Sequence, residues 1–382
     1  MVGGSTLRGL CALLVALSLL SALCAADAVS DLQTKGRAAV DAEVAKSTTC
    51  TKDKLQVRKE WYAFSAGSFF GGDITASEKK AYIAAVLCIT KAPSKLPAAS
   101  YPGAKSRYDD FVAIHMKNTM SIHGTGNFLS WHRYFTFAYE QALRTECGYN
   151  GTQPYWDWGR WASSPETSPI FDGSDTSISG QGEKVAHNSN GMKPAGNGGG
   201  CIASGPFKDM KVNLGPMAAL GDTSPPKNPR SDGYGYNPRC IKRDISGYLS
   251  QRDASTAKIA ALISGQSTIA SFQNQMQSGT GVHPAGHFTI SGDPGSDFYV
   301  SPGDPAFWLH HSMIDRVWYI WQTQDFSKRQ QVIAGGTSMM GGGKAATLSD
   351  GIDLEVLNVG GSKYAIKDLV STVAGPLCYV YE

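Results

Sequence analysis

Histidine placement is the strongest chemical signal in this sequence. His115, His123 and His132 fall within 18 residues of a 382-residue chain that holds only eight histidines. A second group lies far downstream, with His283 and His287 four apart and the adjacent pair His310 and His311. Only His187 stands outside both groups. If one of His310 and His311 is a ligand, each group offers three imidazoles. No cysteine or carboxylate is interleaved at ligand spacing. The pattern therefore points to a paired, all-imidazole metal site, which suits copper, zinc, nickel or iron. A lone histidine on a helix is more often structural than a ligand, but two clusters at helical spacing are not explained that way.

These side chains need helices to present them. His283 and His287 have the spacing that stacks two side chains on one helix face. Pro284 is compatible with a helix that begins there, because proline is tolerated in the first turn. Asp304-Pro305 reads as the start of the next helix, capped by Asp304; on it His311 and Asp315 share a face. Residues 106–122 form a helix carrying His115. Residues 127–146 form another, carrying His132, with Asn127 as its cap. Thr75 and Glu78 have capping-box spacing ahead of an apolar run to Leu87. Residues 244–278 read as helical. Leu55, Val57, Trp61 and Phe64 continue the helix-like spacing of the 29–70 region. Strand-like pieces fall around Asp353–Val359 and Leu377–Tyr381. Between about 160 and 240, Gly, Ser, Asn and Pro dominate. That stretch reads as one long loop that still lets the two histidine groups meet.

Composition excludes several classes. With 35 basic against 32 acidic residues and no basic block, nucleic acid is not expected as a partner. Arg8 followed by an apolar run from Leu10 to Leu23, then Ala26-Asp-Ala28, has the form of a secretory signal peptide over 1–28. That run is too short to cross a bilayer, and no later stretch is apolar enough, so no membrane association is expected of the mature chain. Cys11 and Cys24 lie in that leader. Cys50, Cys88, Cys147, Cys201, Cys240 and Cys378 remain, an even number that suits disulfides in a secreted chain, with the pairing left open. Asn150-Gly-Thr152 is a glycosylation acceptor.

Three segments carry a family resemblance: His123-Gly-Thr-Gly-Asn-Phe-Leu-Ser-Trp-His132-Arg, Asp304-Pro-Ala-Phe-Trp-Leu-His-His311 and Asp315-Arg-Val-Trp318. The chain resembles the tyrosinase, catechol oxidase and haemocyanin family of coupled dicopper proteins, closest to short secreted fungal-type enzymes. Arg58-Lys-Glu-Trp61 and Tyr379-Val-Tyr381 extend the match along most of the chain. The resemblance implies a mainly α fold, a four-helix bundle holding two copper ions, with long irregular loops and a few short strands. It implies one copper domain over 29–382 without a C-terminal lid domain. It implies that His115, His123 and His132 hold the first copper and His283, His287 and His311 the second, with His310 a near miss and His187 a surface-loop residue. Asp315 is then expected to orient an imidazole from behind. Phe128 and Phe307 are expected to pack against ligand rings, and Phe298 to stand as a gate over one copper.

The implied activity is oxidation of o-diphenols to o-quinones with O2. Three departures from the family bear on it. Ser121 stands where many members carry a cysteine cross-linked to the second histidine. Pro284 stands where many phenol-hydroxylating members carry asparagine, and no Asp or Glu occurs between Asp253 and Asp293, so a general base from that segment is missing. Phe298 supplies a bulky group where some catechol oxidases have one. Diphenol oxidation is thus expected above monophenol hydroxylation. An o-aminophenol oxidase and a true tyrosinase are the near alternatives, and a haemocyanin-like O2 carrier is the alternative of another class.

Overall fold

In a computed structural model, the described residues are 28–62, 74–189, 191–218 and 225–382. The leader expected over 1–28 therefore lies almost wholly outside them, as does Phe64. Among them, nine helices organise the fold. They are α1 (residues 28–46), α2 (Ala76–Ile89), α3 (Arg107–Ile122), α4 (Phe128–Cys147), α5 (Gly247–Asp253), α6 (Thr256–Gly265), α7 (Ile269–Gln277), α8 (Val282–Ile290) and α9 (Ala306–Thr323). Strands are short and pair only in twos. The fold is mainly α, as the resemblance implied.

Local sequence explains most helix boundaries. Thr75 and Glu78 form the expected capping box on α2. Ser106 and Asp109 form a second one on α3 that sequence inspection passed over. α4 ends at Gly148, whose φ of 66° is the left-handed cap that only glycine adopts without strain. Its start differs from expectation: Asn127 sits at the cap position, but its side chain makes no cap bond and accepts from the Thr125 hydroxyl instead, at 2.7 Å. Pro305 occupies the cap position of α9 and has no side chain to offer, so Asp304 just before it caps the first turn instead, accepting from the Ala306 N–H at 2.9 Å.

α9 is the central rod. Every residue from Ala306 to Thr323 is buried, as expected of a helix covered on all sides. α4 and α8 pack along it, and α3 packs on α4. These four helices carry the candidate ligands. α2 buttresses α4, joined to its end by the Cys88–Cys147 disulfide. One cluster of buried apolar side chains runs from Val29 to Tyr381.

Two expectations are overturned. The helix-like spacing of Leu55 to Trp61 does not give a helix. Gln56–Arg58 is a strand, paired in parallel with Tyr379–Tyr381 and stapled by Cys50–Cys378. Long-range pairing overrides a short periodic pattern of this kind. Asp353–Val359 is not strand-like; it contains the 3-10 turn Glu355–Leu357. The long 160–240 segment is irregular but pinned. Cys201–Cys240 closes it, Arg239 forks Asp293 at 2.6 and 3.0 Å, and Arg243 forks Asp304 at 2.8 and 2.7 Å.

Candidate metal centre

The first three histidines come from α3, its C-cap and α4. Their Nδ1 atoms all point back to main-chain carbonyls. His115 meets Tyr299 O at 2.8 Å, His123 meets Thr119 O at 2.9 Å and His132 meets Phe128 O at 2.8 Å. A carbonyl only accepts, so each Nδ1 carries the proton and each Nε2 presents a lone pair. For His115 and His132 that Nε2 is buried with no partner. Three convergent lone pairs, their orientation fixed by hydrogen bonds at the other nitrogen, are what a metal ligand set requires.

The second group is tighter. His287 Nε2 lies 3.2 Å from His283 Nε2 and 3.2 Å from His311 Nε2. One proton cannot satisfy three converging nitrogens; a cation among them can. In each group the ligand atoms lie within 4.8 Å of one another, His310 falling within the second group beside His283, His287 and His311, and neither group includes a carboxylate. The residues therefore fit two borderline-soft metal ions held by imidazole alone.

The groups face each other. The rings of His132 and His311 stack at 4.6 Å with 18° between planes, and those of His123 and His283 lie 6.0 Å apart at 26°. Phe307 stacks on His311 at 4.1 Å and meets His115 at 5.5 Å. Phe128 touches His132 at 4.8 Å and His283 at 4.9 Å. Phe298 lies beside the His123 ring at 4.5 Å and is 36% exposed. Burial, with the neighbouring imidazoles adding to it for some, holds all these histidines below their ordinary range; burial takes His123 to about 4 and His287 to about 3. They are neutral at pH 7, as ligands must be.

Asp315 is placed differently from its expected role. Its Oδ2 accepts from the hydroxyls of Tyr379 and Tyr381, each at 2.6 Å, and from Arg58 at 3.4 Å; Oδ1 accepts from Arg133 at 2.5 Å. None of these partners is an imidazole. Burial alone would raise this carboxyl, but the guanidiniums of Arg133 and Arg58 outweigh it and hold it below its usual value. Asp315 thus ties α9 and α4 to the terminal strand pair, one turn beyond His311. His187 does lie in the long loop, yet its side chain is covered. Its Nε2 meets Asp244 Oδ2 at 2.9 Å, and Lys193 shares that carboxylate. Asn150 is exposed in the loop after α4, and Ser121 is exposed near the end of α3, its hydroxyl donating to Asn118 O.

Sequence inspection missed Tyr299, whose carbonyl orients His115, and Arg243, which clamps the Asp304 cap of α9. Neither has a local signal: the contacts span 184 and 61 residues.

A helical bundle with two opposed groups of imidazoles defines a dinuclear metal protein. Comparison with known proteins gives the family. The common central domain of tyrosinase matches residues 105–324. The tyrosinase-like protein orsC of Emericella nidulans is 39% identical over 309 residues, covering 76% of this chain and 80% of its own. The N-acetyl-6-hydroxytryptophan oxidase ivoB of the same fungus is 36% identical over 374 residues, covering 90% and 97%. A solved variant of the polyphenol oxidase of Thermothelomyces thermophila is 38% identical with a TM-score of 0.83, covering 93% of this chain and 98% of that one. The chain belongs to the tyrosinase family and is a fungal-type copper oxidoreductase; its cofactor is a pair of copper ions.

Proposed function

We propose that this enzyme oxidises o-diphenols to o-quinones, two diphenols and one O2 giving two quinones and two waters. His115, His123 and His132 would hold one copper and His283, His287 and His311 the other. When bound, the copper pair supplies two-electron transfer between the phenol and O2. The protein's part is geometric. Main-chain carbonyls fix the imidazole tautomers. Phe128 and Phe307 line the ligand rings and keep water from them. Phe298, exposed beside His123, meets an incoming aromatic ring and limits its bulk. The substrate loses its own two hydroxyl protons.

The observation that carries the diphenol preference is the absence of a carboxylate from either ligand group, together with Pro284 directly after His283. A monophenol has to be deprotonated before oxygen is added to its ring, and these positions supply no base for that. O2 uptake by copper-loaded enzyme, measured with catechol and with tyrosine, tests the assignment. Catechol turnover at least tenfold faster is expected; equal rates would sink it. A second reading comes from the relative that oxidises N-acetyl-6-hydroxytryptophan. A hydroxyindole belongs in the same assay, and a preference for it over catechol would replace the diphenol assignment. An o-aminophenol would be recognised by its product.

We read residues 29–382 as one copper domain of a secreted protein. The three disulfides support an oxidising destination, and no helix among the described residues is long and apolar enough to cross a membrane. Intact mass of protein recovered from culture medium tests cleavage near Ala28 and a glycan on Asn150.

A further inference from the structure

One buried histidine, His310, lies within reach of the second group but outside the six proposed ligands. His310 is fully buried, and no well-formed hydrogen bond reaches either ring nitrogen, although the His283 main chain acts on the ring. An apolar side chain there would avoid the desolvation cost, so the ring's position calls for a reason. That position is specific. The ring stacks on His283 with 14° between planes and 5.8 Å between centroids, and stands edge-on to His287 at 4.4 Å. Trp158 closes its far side at 5.3 Å.

Its seat is Gly286, between the two ligands of α8. A Cβ on Gly286 would stand 2.2 Å from both Cε1 and Nδ1 of His310. Gly286 is not among the residues with positive φ, so the helix itself does not require glycine there. Glycine in a helix interior is a weakness. The space freed by the missing side chain is filled by the His310 ring.

We propose that His310 is a positioning residue for the second copper. Seated in the Gly286 notch, its ring is a wedge that sets the His283 and His287 imidazoles at their 3.2 Å convergence. The proposal rests on the dicopper assignment and not on the substrate, because its readout is metal content. A failed catechol assay and a failed wedge are therefore distinguishable.

The test is copper per chain after dialysis against increasing chelator, with circular dichroism of the copper-free protein as the folding control. In His310→Ala, one copper should leave at a chelator concentration at least tenfold below that for the wild type, with the other unmoved. His310→Phe keeps a planar ring without nitrogens and should recover most of that shift. Gly286→Ala should reproduce the loss alone and add nothing in the His310→Ala background, since both act through one contact. Should His310→Ala not fold, His310→Leu, which has volume but no flat ring, takes its place. Wild-type retention of both coppers in His310→Ala would overturn the proposal. So would failure of His310→Phe to recover the site, which would assign the role to the nitrogens. Equal weakening of both coppers would assign His310 to general packing and overturn it too.

Discussion

The phenol of Tyr381 donates a 2.6 Å hydrogen bond to Asp315 Oδ2, joining the terminal strand to the helix that carries His311. Tyr379 does the same at 2.6 Å, and Arg58 and Arg133 close the cluster. Removing one phenol leaves the carboxylate three partners. Removing its charge leaves buried Arg133 short of its counter-ion, while Arg58 keeps Glu140. Tyr381→Phe should cost about 1.5–3 kcal/mol, and Asp315→Asn about 3–5 kcal/mol. Denaturant unfolding of the copper-free protein measures both; equal costs would contradict a charge-centred cluster.

The Arg243–Asp304 fork should matter beyond its own strength, because it fixes the first turn of α9. Arg243→Leu strands a buried carboxylate, at about 3–5 kcal/mol. Asp304→Asn keeps one cap acceptor and should cost less. The ordering of the two unfolding midpoints checks this.

Glu60 should make stability depend on pH. Burial, aided by Asp157 and opposed by Arg160 and backbone N–H groups, pushes its carboxyl up to about 8. A raised folded value means its contribution is fully present below the unfolded pKa near 4.5 and is lost as pH rises through about 8. Glu60→Gln should remove that loss. The difference in Tm between variant and wild type should grow by a few degrees from about pH 5 to about pH 8; a constant difference would show that Glu60 does not titrate there.

Phe298 should set the size limit on substrate. Being exposed, Phe298→Ala should change stability by less than about 1 kcal/mol. It should raise kcat/KM for a bulky ring-substituted diphenol relative to catechol by about tenfold or more. An unchanged ratio would remove Phe298 from the path of entry.

The site was legible because its signals are local. His283 and His287 sit one turn apart, His115 and His132 lie on helices with clear apolar faces, and Thr75–Glu78 and Asp304 mark helix starts by themselves. What escaped depends on partners distant in the chain. Val57 looked helical because nothing near it reveals Val380, its neighbour in the strand pair. Asp315 looked like a support for an imidazole because Arg58 and Tyr381 are brought to it only by folding. Asn127 had the right type and place for a cap, but Thr125 offered its carboxamide a closer donor.

The parallel pairing of Gln56–Arg58 with Tyr379–Tyr381 has a consequence for biosynthesis. Arg58 emerges 323 residues ahead of Tyr381, the phenol to which it donates. The Asp315 cluster, and with it the footing of α4 and α9, stays open until translation has passed residue 381.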